Sequence, residues 1–348
     1  MKALVWTGVR NIEIQQLPDP EVTANHVIIR PYYVGICGSD LSGFLGEHAL
    51  QKAPLVFGHE FTGEVVAVGH GVNHLHTGDV VAVNPLTGCG QCEVCRRGLP
   101  QYCPDRKLVG VQVDGAFAEY VSVPAVSCFN TGDALTAVVT EPLACGVRAA
   151  RQADVHFDDD VVIYGAGMIG LFCAQAARWM GARSVVLVDT NSKRLQHGER
   201  FGASHLVNPL EGAAREQIGD HIGRAPNKVI DAVGLDVTRR EGVDIAACGA
   251  KLVWIGLHQN DTTVPGNIIV RKEAAVVGSY CYTEDDFRAA NHAVEAGLVP
   301  VDETWLDVRM ADTVQSCFEE QIDGPATYPK LVLTFWDDMM KAAKQHTR

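Results

Sequence analysis

The sequence is short of positive charge: 29 lysines and arginines stand against 42 aspartates and glutamates, a formal net charge of −13. Neutralising nucleic-acid phosphates needs a basic face, so this balance argues against a nucleic-acid partner. The first residues, MKALVWTGVRNIEI, contain no apolar stretch of the signal-peptide kind and no small-residue cleavage site, and a cytoplasmic location is expected. Long hydrophobic runs are missing too. The nearest approach starts at Val161 and carries no charge until Arg178, but Gly165, Gly167 and Gly170 break it and Gln175 is polar. That suits a buried strand, turn and helix better than a membrane span. No internal repeat or low-complexity segment is visible.

What is present fits a globular chain of two domains, because 348 residues exceed one small core. The first 140 or so residues carry short β-like runs punctuated by Gly and Pro, among them HVIIRPYYVGI, FTGEVVAVG, GDVVAV and AFAEYVSV, the pattern of a barrel-like or sandwich-like β domain. Around Glu141 the texture changes. PLACGVRAARQA reads as helix, and strands then alternate with helical patterns: VVIYG, SVVLVD, KVIDAVG, KLVWIGL and AAVVGSY. Alternation of this kind predicts a parallel sheet with crossover helices. The tail, with TEDDFRAANHAVEAG as helix and PKLVLTF as strand, is too short for a domain and has to dock on one of the other two.

Gly165, Gly167 and Gly170 stand in G-x-G-x-x-G spacing, directly after an apolar strand and before an amphipathic helix. The first allows a tight turn, the second a close backbone approach to a pyrophosphate, and the third helix-on-strand packing, while the helix N-terminus offers free N–H groups to phosphate. The next strand ends at Asp189, where a carboxylate can bond both ribose hydroxyls and would repel a 2′-phosphate. NAD is therefore favoured over NADP. Arg194, five residues on, is positioned to stack on adenine.

Eleven cysteines without a secretion signal suggest a reducing compartment. Cys89, Cys92, Cys95 and Cys103 form a C-x2-C-x2-C-x7-C run, which suits a closed tetrahedral zinc site. A nucleic-acid-binding zinc ribbon would have two separated knuckles, and two disulfides would require secretion. A second set is dispersed: Cys37 in GICGSD, His59 and Glu60 in GHEFTG, and Glu141 in TEPLA. One thiolate, one imidazole and two carboxylates suffice for a catalytic zinc with a position left open.

The run GHEFTGEVVAVGHGV, from Gly58 to Val72, resembles the signature of the zinc-containing alcohol dehydrogenase family of the medium-chain dehydrogenase/reductase superfamily. The order of GICGSD, GHE, a four-cysteine lobe, EPLA, GAGMIG and an Asp is similar as well, over essentially the whole chain. The resemblance implies an α/β chain. A GroES-like β-rich catalytic domain would span residues 1–142 with a structural zinc lobe at about 86–104, a Rossmann domain 143–280, and a C-terminal return 281–348. It implies two zincs per chain and NAD. Cys37 and His59 match the catalytic zinc ligands, Glu60 the carboxylate that ligates directly or by exchange with water, and Ser39 the hydroxyl that takes the substrate proton. Cofactor contacts are implied at Gly165, Gly167, Met168, Ile169, Gly170, Asp189, Arg194, Val233 and Ile255. The partners implied are a small alcohol or ketone and further copies of the chain, as a homo-tetramer or homo-dimer, with no membrane.

Glu141 stands where polyol dehydrogenases place a glutamate and simple alcohol dehydrogenases a cysteine. The expected reaction is thus interconversion of a secondary alcohol (polyol, sugar alcohol, cyclitol or diol) and its ketone. Threonine dehydrogenase-like or sugar-phosphate activity is the alternative, and a non-catalytic relative would have lost one of these residues. Three positions depart from the pattern. Ser42 replaces the histidine that continues the proton relay, with His48 as candidate substitute or as a solvated loop residue. Arg148 replaces a histidine, and Cys281 the arginine of sorbitol dehydrogenases, which disfavours sorbitol itself. Arg148 could serve a phosphate or an ion pair on its helix. Cys128, Cys145, Cys173, Cys248, Cys281 and Cys317 are expected in or near cores.

Overall fold

The alternating β-branched runs of the N-terminal third become the strands of one sheet, and the chain end completes it. The computed structural model describes residues 1–324 and 328–346. The chain divides into two compact units, one of Met1–Glu141 with Thr283–Arg348 and the other of Pro142–Tyr282.

In the first unit, seven strands form a sheet in the order Cys128–Asn130, Val80–Val83, Glu60–Val68, His26–Gly35, Lys330–Thr334 and Leu306–Met310, with Val121–Pro124 also paired to His26–Gly35. His26–Gly35 is the hub, because its ten residues outlast each neighbour. Its last residue, Gly35, is opposite Glu60 on one side and Val332 on the other. A smaller sheet joins Asn11–Gln16, Lys2–Gly8 and Leu55–Val56. The core between them is aromatic. Phe318, on the Val314–Asp323 helix of the tail, has its ring 5.1 Å from Phe44, 6.2 Å from Phe57 and 6.3 Å from Phe117. Truncating such a fully buried ring costs about 3–5 kcal/mol, so the tail is a structural member of this unit.

The second unit holds six parallel strands in the order His205–Val207, Ser184–Val188, Asp160–Tyr164, Lys228–Asp231, Lys251–Trp254 and Ala275–Gly278. Both Asp160–Tyr164 and Ser184–Val188 are buried along their whole length, which is why their sequences run apolar without alternation. The order reverses beside Asp160–Tyr164, the switch point at which such sheets bind ligands beyond their strand ends. Asp160 is fully buried at the head of that strand and is neutralised by Arg183 and Arg224. Among the described residues no helix is long and apolar enough to cross a membrane.

One expectation about the cysteines needs correction. Cys128, Cys173 and Cys317 are buried, Cys145 and Cys281 are half-buried, but Cys248 is exposed. It lies in the turn that links the Asp236–Ile245 helix to the Lys251–Trp254 strand, where Gly249 reverses the chain at φ 73°. A turn on the surface has no core to offer it.

Candidate functional site

Four sulfurs converge at the base of the first unit. The short strands Leu86–Thr87 and Lys107–Leu108 pair and close a lobe around Cys89, Cys92, Cys95 and Cys103, whose sulfurs all lie within 4.8 Å of one another. A tetrahedral site with Zn–S of about 2.3 Å has sulfurs about 3.8 Å apart, and Cys92 Sγ and Cys103 Sγ are separated by 3.8 Å. Gly88 makes room, since a Cβ there would come 2.5 Å from Cys95 Sγ. Hydrogen bonds from the backbone of Gln91 and Cys92 lower the Cys89 thiol to about 7, while desolvation pushes Cys95 up to about 12. Four thiols in one lobe cannot all ionise without a cation, so the donor set fits a closed zinc site.

The dispersed residues meet on the sheet hub. Cys37 lies two residues beyond Gly35 and precedes the Gly38–Phe44 helix, whereas His59 immediately precedes the partner strand that Glu60 opens. Their ligand atoms lie within 4.8 Å of one another. His59 Nδ1 faces Asp40 Oδ1 at 3.4 Å and its Nε2 lies 3.4 Å from Ser39 Oγ. The Asp40 contact is too long and off-line for a hydrogen bond, and both atoms are buried without another partner among the described residues. Asp40 in turn accepts from Cys37 N at 3.0 Å, which fixes it behind the imidazole. This leaves Nε2 free for a metal, and thiolate, imidazole and carboxylate together suit zinc. Burial works against a charged His59, but Asp40 and then Cys37 outweigh it and hold the imidazole well above its ordinary value. Glu141 is buried in the first turn of the Thr140–Gln152 helix. Its charge reaches Lys330.

Lys330 was not anticipated. It is 2 % exposed at the start of Lys330–Thr334, donates to Ile36 O at 3.0 Å and is ion-paired with Glu60 Oε2. In sequence it is an ordinary lysine at a strand end, where charge is usually solvated. Only pairing of its strand with His26–Gly35 carries it inside.

His48 is half-buried and tied to the backbone of its own loop. Its Nδ1 accepts from Leu50 N and Gln51 N, each at 3.2 Å, so the neutral ring carries its proton on Nε2. Burial lowers its pKa, with Asp40 opposing. With Nδ1 engaged as an acceptor, Nε2 is the nitrogen left to exchange a proton.

In the second unit the glycine run is built as its spacing predicts. Gly165 adopts φ 101°, and a Cβ on Gly170 would collide with the Gly165 carbonyl oxygen. Gly167 caps the Met168–Trp179 helix and faces open space, with nothing within 4 Å of a Cβ placed there, a cradle for a phosphate. Met168 is buried and Ile169 half-buried in the first helical turn. Asp189 ends the neighbouring strand, its Oδ2 accepting from Ala166 N at 2.7 Å and its Oδ1 from Asn191 N at 2.8 Å. Each oxygen keeps a lone pair for a ribose hydroxyl. Val233 and Ile255 follow Lys228–Asp231 and Lys251–Trp254, half-buried at the same carboxyl ends, and a Cβ on Gly165 would come 2.9 Å from Val233 Cγ2. Arg194 is half-buried in the Ser192–Leu195 helix, which Asn191 caps.

A closed four-thiolate lobe and a Cys/His/Glu group with its His and Glu buried in one unit, with a glycine-rich dinucleotide fold in the other, define a metal-dependent dehydrogenase. Residues 23–133 match the family description "Alcohol dehydrogenase GroES-like domain" and residues 169–296 match "Zinc-binding dehydrogenase". The chain is 31 % identical over 332 residues to a D-xylulose reductase A of Aspergillus oryzae, covering 91 % of this chain and 92 % of that protein. It is 30 % identical over 332 residues to a sorbitol dehydrogenase of Bacillus subtilis, covering 92 % and 94 %. An alcohol dehydrogenase of Escherichia coli CFT073, solved as its NADH complex, superposes with a TM-score of 0.89 at 28 % identity over 96 % of this chain and 99 % of that one. The chain belongs to the zinc-containing alcohol dehydrogenase family of the medium-chain dehydrogenase/reductase superfamily, and it is an oxidoreductase.

Proposed function

We propose that the chain oxidises a secondary hydroxyl of a polyol-like or cyclitol-like substrate with NAD, and reduces the ketone in reverse. The observation that carries this reading is the convergence of Cys37, His59 and Glu60 around one point, with Ser39 Oγ 3.4 Å from His59 Nε2. Cys37 and His59 would hold a zinc ion, whose charge makes a nearby hydroxyl acidic. Ser39 accepts the substrate's hydroxyl proton and passes its own onward, since an alcohol can relay but not store a proton. Asp40, its carboxylate 3.4 Å from His59 Nδ1, favours a proton on that nitrogen electrostatically. The nicotinamide ring would supply the hydride acceptor.

The preference for NAD rests on Asp189, whose carboxylate would repel a 2′-phosphate. The similarity to a xylulose reductase and a sorbitol dehydrogenase supports the polyol class, and Glu141 leans the same way. In this reading Met1–Glu141 with the tail is the catalytic domain and Pro142–Tyr282 the cofactor domain. The site residues all act within those two. Assembly as a homo-oligomer is supported by the outer strand Ala275–Gly278. It is an unpaired sheet edge with Val276 36 % exposed and Tyr280 38 % exposed nearby, a surface suited to pairing with its own copy. A cytoplasmic location fits a chain of eleven cysteines with no disulfide among the described residues.

The decisive experiment is a panel of polyols, cyclitols, amino-cyclitols, sugar phosphates, diols and threonine assayed with NAD, alongside metal analysis. Turnover of a polyol or cyclitol with about two zincs per chain is expected. Activity confined to threonine or to a sugar phosphate would move the substrate class, and metal-free activity would end the reading.

A further inference from the structure

We infer that Lys330 is a positioning residue of the metal site: it holds one oxygen of Glu60 and so keeps that carboxylate from closing the position a substrate needs. This inference rests on the reading of Cys37, His59 and Glu60 as a zinc site.

Three observations carry it. Lys330 is buried to the same degree as its partner, and a buried ammonium is kept charged only by close anions. The pair is also built for. Glu60 and Lys330 meet above Gly35, the residue between their strands. A methyl at Gly35 would run into Glu60 Oε2 and lie 2.7 Å from Lys330 Cε. Finally, Lys330 is the cationic side chain that pairs with Glu60 among the described residues, in a pocket that also holds the Asp40 carboxylate and the Cys37 thiol. Without Lys330, Glu60 would be left beside the metal with no other cation among the described residues, and its free oxygen would turn to the ion as a further ligand. An ion pair that served folding alone would have no reason to share its anion with the metal-donor group.

The test uses the full-length enzyme with cobalt(II) exchanged into the catalytic site, read by its d–d absorption, because the spectrum reports coordination number. A wild-type chain that takes no cobalt outside the four-cysteine lobe would overturn the zinc reading itself. With that site loaded, Lys330→Met is expected to lower kcat by roughly 10- to 100-fold. Its absorption should weaken toward that of a higher-coordinate ion, with the metal held against a chelator at least as well as in wild type. In the double variant Lys330→Met/Glu60→Gln the spectrum should return, since the intruding carboxylate is gone. Gly35→Ala pushes the pair apart without altering any charge and should reproduce the Lys330→Met spectrum, which serves where Lys330→Met does not fold. A wild-type spectrum in folded Lys330→Met or Gly35→Ala, or a double variant that keeps the altered one, would overturn the inference while leaving the zinc reading intact.

Discussion

The two metal-donor groups of the first unit are built in opposite ways. Cys89, Cys92, Cys95 and Cys103 come from one short segment, and two turns and a two-stranded ribbon suffice to bring their sulfurs together. Cys37, His59 and Glu60 come from two segments, Glu60 is ion-paired with Lys330 some 270 residues further on, and the sheet hub is what unites them. A contiguous site depends on its metal for its shape. A dispersed one is shaped by the fold before any metal arrives, so it can keep a position open.

This contrast can be broken at several points. The largest effect is expected from His59→Ala, which should abolish turnover while leaving the Cys89–Cys103 lobe loaded; metal analysis would find one zinc fewer, and loss of both zincs would mean that the two sites are coupled. Cys92→Ser should do the reverse, costing about 4 kcal/mol or more of stability through loss of a structural metal, measured as a fall in Tm, with the chemistry impaired only as far as the fold is. Asp189→Gly removes a charged acceptor worth about 1.5–3 kcal/mol and should shift the NAD/NADP ratio of kcat/KM toward NADP by roughly 10- to 100-fold; an unchanged ratio would remove Asp189 from the cofactor site.

A pH effect should separate the two groups more finely. In chelator-treated protein the folded-state pKa of His59 lies above its unfolded value of about 6.5. The folded chain then binds the proton more tightly, so the His59–Asp40 pair contributes its full stability below about pH 6.5 and loses it as pH rises through the raised pKa. With metal bound the imidazole is neutral, and this dependence should vanish. Tm measured across pH with and without chelator checks it, and Asp40→Asn should flatten the chelated curve. The smallest effect is expected at His48. Its alanine variant loses two hydrogen bonds to the Leu50–Gln51 backbone, about 1 kcal/mol each at most, and should leave the pH–rate profile unaltered. A shifted profile would restore it to the proton path.

Much of this was legible in the chain. Gly165, Gly167, Gly170 and Asp189 act through backbone geometry within one strand–turn–helix unit, so their spacing already specifies their neighbours. The cysteine lobe was legible for the same reason. Cys37 and His59 could be offered as zinc donors from their chemistry and assigned as ligands through resemblance to a family, because nothing local to GICGSD or GHEFTG says that they meet. Lys330 and His48 escaped or misled. A lysine at a strand end reads as solvated until its strand is seen to be interior, and a histidine in a glycine-rich loop reads as free until its Nδ1 is found between two backbone N–H groups. Cys248 was misjudged because a cysteine's average burial says nothing about a particular turn.

The sequence by itself determined the cofactor turn, the thiolate lobe and the alternation that makes a parallel sheet. Each depends on residues a few positions apart, where chain connectivity sets the geometry. Tertiary structure alone decided that the last strand lies beside the first long one, that Gly35 leaves space above it, and that Glu60 there meets a buried ammonium. Those facts follow from pairing between distant segments, and the free energy that selects such pairing is spread over the whole aromatic core, not written in any one motif.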